Sequence, residues 1–316
     1  MITLELDTVP TLVAALATVV LGRRLHRRLP ALERASIPPA VSAGLLLSLA
    51  LALALHQQWL TLRLSTVPRD ALLLVFWATV GFGARFSRLR AAGYGVLVIV
   101  LAISVLLVVQ NTVGIGLAHL LDQPLMLGLF AGSTSYLGGH GTAAAWASSA
   151  TGQAVEGALE VGMGSATLGL VLGGLVAGPV GVWLSTRQLK GASATLLPAH
   201  DPAPTSADPG APFSSDRWLL PLLQISLSVA LGPALRELLA AAGLQAPTFL
   251  AVLLTAMVLT NLADLCGKPI DGELTDLVGT VALRLFLALA MLGLNWLEMV
   301  DKLPFLLTAA LTQTVA

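Results

Sequence analysis

The chain has 316 residues, 56% of them apolar and 11% charged, with a formal net charge of zero. Soluble domains carry roughly 25% charged residues, so this composition excludes a water-exposed globule and points to a polytopic membrane protein. Charge balance offers nothing to nucleic acid, and one cysteine, Cys266, excludes an intrachain disulfide framework or a cysteine-built metal site. Cys266 reads as a small, half-buried packing residue.

The first apolar run, 8–22, follows Glu5 and Asp7 rather than a basic segment, which argues against a cleaved signal peptide. It ends at the basic stretch RRLHRR, residues 23–28. Further runs cover 35–55, 71–84 and 94–118. Residues 123–155 contain no Asp, Glu, Lys or Arg and centre on GSTSYLGGHGT, residues 132–142. Another span covers 161–186. Residues 187–217 include HDPAPTSADPGAPFSSDR, a composition that cannot bury a core and reads as a linker. Runs at 218–235, 246–263, 277–297 and 303–316 complete the chain.

Basic residues fix the orientation. Arg23, Arg24, Arg27, Arg28 and Arg34 follow the first span, and Arg85, Arg88 and Arg90 the third. Positive loops stay cytoplasmic, which puts the N-terminus outside. Arg187 and Lys190 then reach the cytoplasm only if 123–155 enters and leaves on one side. The segment is therefore expected to be re-entrant. Its flanks, PLMLGLFA and TAAAWASS, make short helices that rise about 13 Å, to the middle of a core ~30 Å thick. Non-helical backbone at that depth is tolerated only inside protein or along a watery cavity.

The two sides of the linker echo each other. IPPAVSAGLLLSLALAL (37–53) resembles APTFLAVLLTAMVLTNL (246–262), and LLVFWATVGF (73–82) resembles LFLALAMLGL (285–294). The offset is about 210 residues. Five spans precede the linker, so the second unit enters the membrane inverted, a signature of secondary transporters. The expected organisation is a first repeat over 1–186, a cytoplasmic linker over 187–217 and an incomplete second repeat over 218–316. The offset places a partner of the GGHG stretch near residue 350, and the sequence as given is expected to lack its last hairpin and span.

A half-helix starting at Thr142 would direct free N–H groups and a positive dipole end toward the tip. Gly138, Gly139 and Gly141 allow close backbone approach, and Ser133, Thr134 and Ser135 add hydroxyls. Together these suit a carboxylate, while carbonyls ending the first arm suit sodium. Glycines for helix packing are the plain alternative. His140 reads as a proton carrier, a neutral hydrogen-bonding wall or a structural residue; a metal would need companions it lacks. Gln110, Asn111 and Thr79 are either helix glue or ion ligands. The G-x-x-x-G spacings in 169–178 read as packing. GMGSAT (162–167) imitates a dinucleotide fingerprint without the preceding strand and is set aside. Arg284 is an intramembrane charge, functional by default or snorkelling to the cytoplasmic edge. No nucleophile, base or metal partner stands by His140, so an enzyme is not expected.

Four stretches carry a resemblance: RDALLLVFWATVGF (69–82), VVQNTVGIG (108–116), PLMLGLFAGSTSYLGGHGTAAAW (124–146) and EVGMGSATLGLVLGGLVAGPV (160–180). They are similar to the sodium/glutamate symporter family of bacterial inner membranes. The resemblance implies an all-α inverted-repeat fold with two re-entrant hairpins, sodium-coupled glutamate uptake and no cofactor beyond the coupling ion. It also implies a homodimer in the bilayer whose transport domain moves past a scaffold. Carried over, Gly138, Gly139, His140, Gly141 and Thr142 form the first hairpin tip, with Gln110, Asn111 and Thr167 in the spans beside it. Leu137 stands where serine is expected before GGHG, Ala143 replaces a glycine and Arg284 a small residue. The alternatives are another organic anion, such as a hydroxycarboxylate, or an inactive remnant.

Overall fold

The computed structural model describes residues 2–34, 37–57, 60–188, 215–267 and 270–315. Most of the expected linker, 189–214, lies outside the described residues. Strand β1 (Ile2–Leu6) precedes α1 (Thr8–Arg28), a short α2 (Pro30–Arg34) and α3 (Pro39–His56). Strand β2 (Leu60–Leu64) leads into α4 (Val67–Gly83) and α5 (Phe86–Leu120). The glycine segment folds as α6 (Leu125–Phe130), α7 (Ser133–Tyr136), α8 (Gly139–Ala147) and α9 (Ala150–Gln153). Then come α10 (Ala158–Gln188), α11 (Ser215–Ala241), α12 (Thr248–Leu265), α13 (Gly272–Leu292), α14 (Trp296–Asp301) and α15 (Leu303–Val315). Among the described residues, seven helices are long and apolar enough to cross a membrane. The all-α expectation holds because a helix pairs every backbone N–H and C=O within one span.

The two strands are an addition to that expectation. They pair in parallel, Leu4 beside Leu62 and Glu5 beside Arg63. Leucine alternates with polar residues in both, a period-two pattern easily lost beside long apolar runs. The Arg63–Glu5 pair, at 3.3 Å, is exposed and worth at most about 1 kcal/mol.

Helix ends follow capping more closely than charge. α13 starts five residues before the expected 277, because Asp271 accepts from the N–H groups of Glu273 (3.1 Å) and Leu274 (3.3 Å). It stops at Leu292, and Asn295 caps α14 by accepting from Leu297 N at 3.2 Å. This shift moves Arg284. Counted from Gly272 it sits ~18 Å along the helix, near mid-depth of a ~30 Å core, and it is exposed. The N-terminal end of α13 is therefore farther from it than the apolar run implies. α5 breaks at Gly93, whose φ of +60° only glycine adopts readily.

The turn from α4 to α5 is held by α12. Asn261 Nδ2 donates to Ala84 O at 2.9 Å, and its Oδ1 accepts from Phe86 N at 2.8 Å. Arg85 donates to Ile270 O at 2.6 Å and pairs with Asp264 at 3.4 Å. Asn261→Leu removes both side-chain partners of the turn and is expected to destabilise the chain by about 2 kcal/mol, read as a lower unfolding midpoint in detergent.

The helices pack as two groups. One holds α1, α3, α4, α11, α12 and α13; the other holds α5, the glycine segment, α10 and α15. Helix α8 touches α13 across the divide, and α14 reaches α3, α10 and α15. The first group repeats itself: α1 packs on α3, α3 on α13 and α1 on α13, while α11 packs on α12, α12 on α4 and α11 on α4. Close approaches repeat too. A Cβ at Gly44 would lie 2.4 Å from the Met291 Cβ, and one at Gly81 would lie 2.3 Å from Leu253 O. Met291 stands about 210 residues beyond Gly81, as Leu253 does beyond Gly44.

Candidate functional site

The glycine segment begins and ends at one residue. Lys302 Nζ donates to Gln123 Oε1 at 2.9 Å, and a Cβ at Gly157 would meet the Lys302 stem at 3.6 Å. Between these points α6, α7 and α8 pack against α5 and α10. Entry along α5 is close: a Cβ at Gly114 would lie 2.1 Å from Gly128 O, and one at Gly128 2.5 Å from Gly114 O. The first arm breaks at Gly132, with φ −115° and ψ −138°. There Asn111 Oδ1 accepts from Ser133 N (3.2 Å) and from Ser133 Oγ (2.8 Å), giving the start of α7 a side-chain acceptor.

The second arm starts at Gly139, three residues before the expected Thr142. Gly139 has φ +71°, a conformation that reverses the chain at little steric cost only for glycine. The N–H groups of Gly139, His140 and Gly141 thus open α8, where the helix itself offers no acceptors. The Thr142 hydroxyl donates to Gly138 O at 2.9 Å, and Thr142 is the fourth residue of α8 rather than the expected first. Thr134 is half-buried and Gly138 exposed, while Ser133 and Ser135 are buried. Ser135 donates to Phe130 O.

His140 is buried, and its Nε2 lies 3.0 Å from Thr167 Oγ1. Thr167 gives its single hydroxyl proton to Met163 O at 2.8 Å. With its hydroxyl so turned, Thr167 accepts from the Nε2–H tautomer of His140. The tip faces the other helix group at Gly141, where a Cβ would lie 3.2 Å from the Phe76 ring and 3.7 Å from Leu283. Trp146 of α8 meets Phe249 edge-on at 5.6 Å, and Phe249 lies 5.1 Å from Trp77.

Of the candidate residues, Gln110 and Asn111 lie against the first arm and Thr167 against the tip. Thr79 stands apart. Its hydroxyl donates to Phe76 O at 2.7 Å, and a Cβ at Gly279 would lie 2.2 Å from it, inside the α4–α13 crossing. Sequence reasoning missed Gln313, whose Nε2 donates to Gln110 O (2.7 Å) and Ala131 O (3.1 Å). A glutamine in the apolar run LLTAALTQTV was the available signal. It also missed Glu160, buried at the start of α10 and accepting from Asn295 N at 3.1 Å. Gly169 packs on Tyr136, a Cβ there meeting the ring at 2.8 Å, but Gly173 faces open space. Cys266 is exposed after α12, not half-buried, because the chain leaves the helix there. Among the described residues no group of three or more His, Cys, Asp or Glu side chains could hold a metal. A cavity of ≈ 880 Å³ lies elsewhere, beside His56, Arg69 and Trp296, and no candidate residue lines it.

Long apolar helices, with a broken glycine-rich segment packed among them, define a multi-pass membrane protein of the transporter class. The chain belongs to the sodium/glutamate symporter family, whose sequence profile matches residues 4–316. It is 35% identical to the sodium/glutamate symporter of Escherichia coli, across 98% of this chain and 78% of that protein. The values for the Shigella flexneri symporter are the same. The Haemophilus influenzae symporter is 30% identical over 93% of this chain and 74% of its own length. No solved structure matches the chain.

Proposed function

We propose that this protein is a non-enzymatic symporter that moves L-glutamate across the bacterial inner membrane with sodium, and that the GGHG tip forms part of its substrate site. Family membership supports the coupling ion and the substrate. The tip geometry carries the assignment of the site: Gly139, His140 and Gly141 open a helix inside an apolar bundle, beside the other helix group. Oriented N–H groups and the positive end of α8 favour a carboxylate there. Ser133, Thr134 and Ser135 lie on the approach, Gly138 and Thr142 shape the turn, and Thr167 holds the His140 ring.

The convergence of Gln123 and Gly157 on Lys302 supports a hairpin that enters and leaves on one face. The repeated packing of α1, α3 and α4 by α11, α12 and α13 supports inverted repeats over 1–186 and 218–316. The two helix groups, meeting through α8, α13 and α14, fit a transport domain moving past a scaffold. The positive-inside pattern supports an outer N-terminus and a cytoplasmic linker. A homodimer in the bilayer completes the reading, with Gln110, Asn111, Thr167 and the more distant Thr79 as sodium-site candidates.

The test is uptake of labelled glutamate into proteoliposomes. An inward sodium gradient is expected to drive accumulation that an equal choline gradient does not, and sodium-independent uptake would overturn the reading. Leu137, standing where the resemblance leads to serine, favours testing a second substrate class. Inhibition by malate or citrate at concentrations where unlabelled glutamate has no effect would assign a hydroxycarboxylate instead. His140 acts as a neutral donor to Thr167 in this scheme, and glutamine can make the same bond. His140→Gln is expected to keep uptake and its pH profile over about pH 6 to 8; loss of a wild-type pH dependence would make His140 a proton carrier.

A further inference from the structure

Two buried amide oxygens near the break in the first hairpin arm have no partner. Gln110 is 7% exposed and Gln313 5%, and neither Oε1 has a hydrogen-bond partner. The two residues come from α5 and α15, and Gln313 Nε2 joins them. It lies 2.7 Å from Gln110 O and 3.1 Å from Ala131 O, the carbonyl that ends α6. A point between those carbonyls is therefore within reach of a third atom. Half a turn of the Gln313 amide replaces its donor with an oxygen there.

We propose that Gln110 and Gln313 are ligands of a sodium site formed with the carbonyls of Gln110 and Ala131. The proposal rests on the sodium-coupled reading and adds a residue, Gln313, to it. All four oxygens are neutral. Such a set suits a monovalent hard cation, whereas divalent sites are generally built with carboxylates. Ala131 lies where α6 has ended, and unwound backbone of that kind supplies carbonyls to sodium in broken-helix transporters. The site also joins α15 to the hairpin, so binding of the ion tightens α5, α6 and α15 onto one another.

The test is thermal unfolding of the purified full chain in detergent, with sodium chloride titrated against choline chloride at constant ionic strength. Wild type is expected to be stabilised saturably by sodium, since a ligand that binds only the folded state raises its stability. Gln110→Leu and Gln313→Leu are each expected to raise the half-saturating concentration at least about tenfold. Gln224, on α11, also has a buried Oε1 without a partner. Gln224→Leu is expected to leave the sodium response unchanged. If Gln313→Leu does not fold, Gln313→Met carries the same expectation with similar side-chain length. An unchanged response in the Gln110 and Gln313 variants overturns the site, as does an equal response to potassium or no sodium response in wild type. Proteoliposome uptake separates the two claims. Sodium-driven uptake with unaltered sodium dependence in Gln313→Met removes the site and leaves the symporter. Loss of the sodium response in these variants, in a chain whose glutamate uptake ignores sodium, keeps the site and removes the coupling.

Discussion

Gly114→Ala is expected to prevent stable folding of the chain. The added Cβ would lie 2.1 Å from Gly128 O and 3.0 Å from Gly128 C. Gly128 is equally constrained, since a Cβ on it would lie 2.6 Å from Ile115 Cα. Both sides of this crossing are backbone, so no rotamer change makes room, and α5 and α6 must separate. Typical overpacking in a core costs about 1–3 kcal/mol, and this contact is tighter than one that a side chain can relieve. Separation also pulls Ser133 away from Asn111. Gly116, two residues on, has open space at its Cβ position. Gly116→Ala is expected to stay within about 0.5 kcal/mol of wild type. The pair is compared by size-exclusion profile and unfolding midpoint in detergent. Equal behaviour of the two variants would show that the crossing is looser than described.

Asn111→Leu is expected to lower sodium-driven glutamate uptake at least about a hundredfold. Asn111 Oδ1 is the acceptor for both the N–H and the hydroxyl of Ser133, and leucine leaves them without it. Each unpaired buried group costs about 1–3 kcal/mol, and a loss of ~2.7 kcal/mol in the competent state is a factor of about a hundred. The chain recovers those bonds only by rearranging the break at Gly132, which sets the direction of α7 and the position of the tip. Asn111→Asp keeps an acceptor for both bonds and is expected to lose less. Wild-type uptake by Asn111→Leu would mean that the break holds without this side chain.

Much of this arrangement was legible in the sequence. The apolar runs locate the spans, because burial in lipid imposes composition directly. The absence of charge from 123 to 155, with Arg187 and Lys190 beyond it, led to the expectation of a segment with both ends on one side, which is part of the proposed function. The common meeting of Gln123 and Gly157 with Lys302 fits that reading. Details set by local backbone chemistry were less legible. The start of α8 depends on the left-handed Gly139, which four glycines in one stretch do not single out. The start of α13 depends on Asp271 and the start of α14 on Asn295, each acting as a cap, and a search for uncharged runs trims off the first. Thr79 was attractive as a hydroxyl in a short span, yet its neighbour Gly279 comes from a helix 200 residues away. Gln313 was hidden for the same reason: one amide in a short apolar run gains meaning only when α15 is laid against α5 and the end of α6.

The most direct measurement is labelling of a single cysteine at the tip. Leu137 is 42% exposed there. In a Cys266→Ala background, Leu137→Cys is reacted in sealed vesicles of known orientation with a membrane-impermeant maleimide. Glutamate together with sodium is expected to slow the reaction at least about tenfold, while sodium alone or glutamate with potassium does so far less. A labelling rate indifferent to glutamate in the presence of sodium would contradict the assignment of the substrate site to this tip.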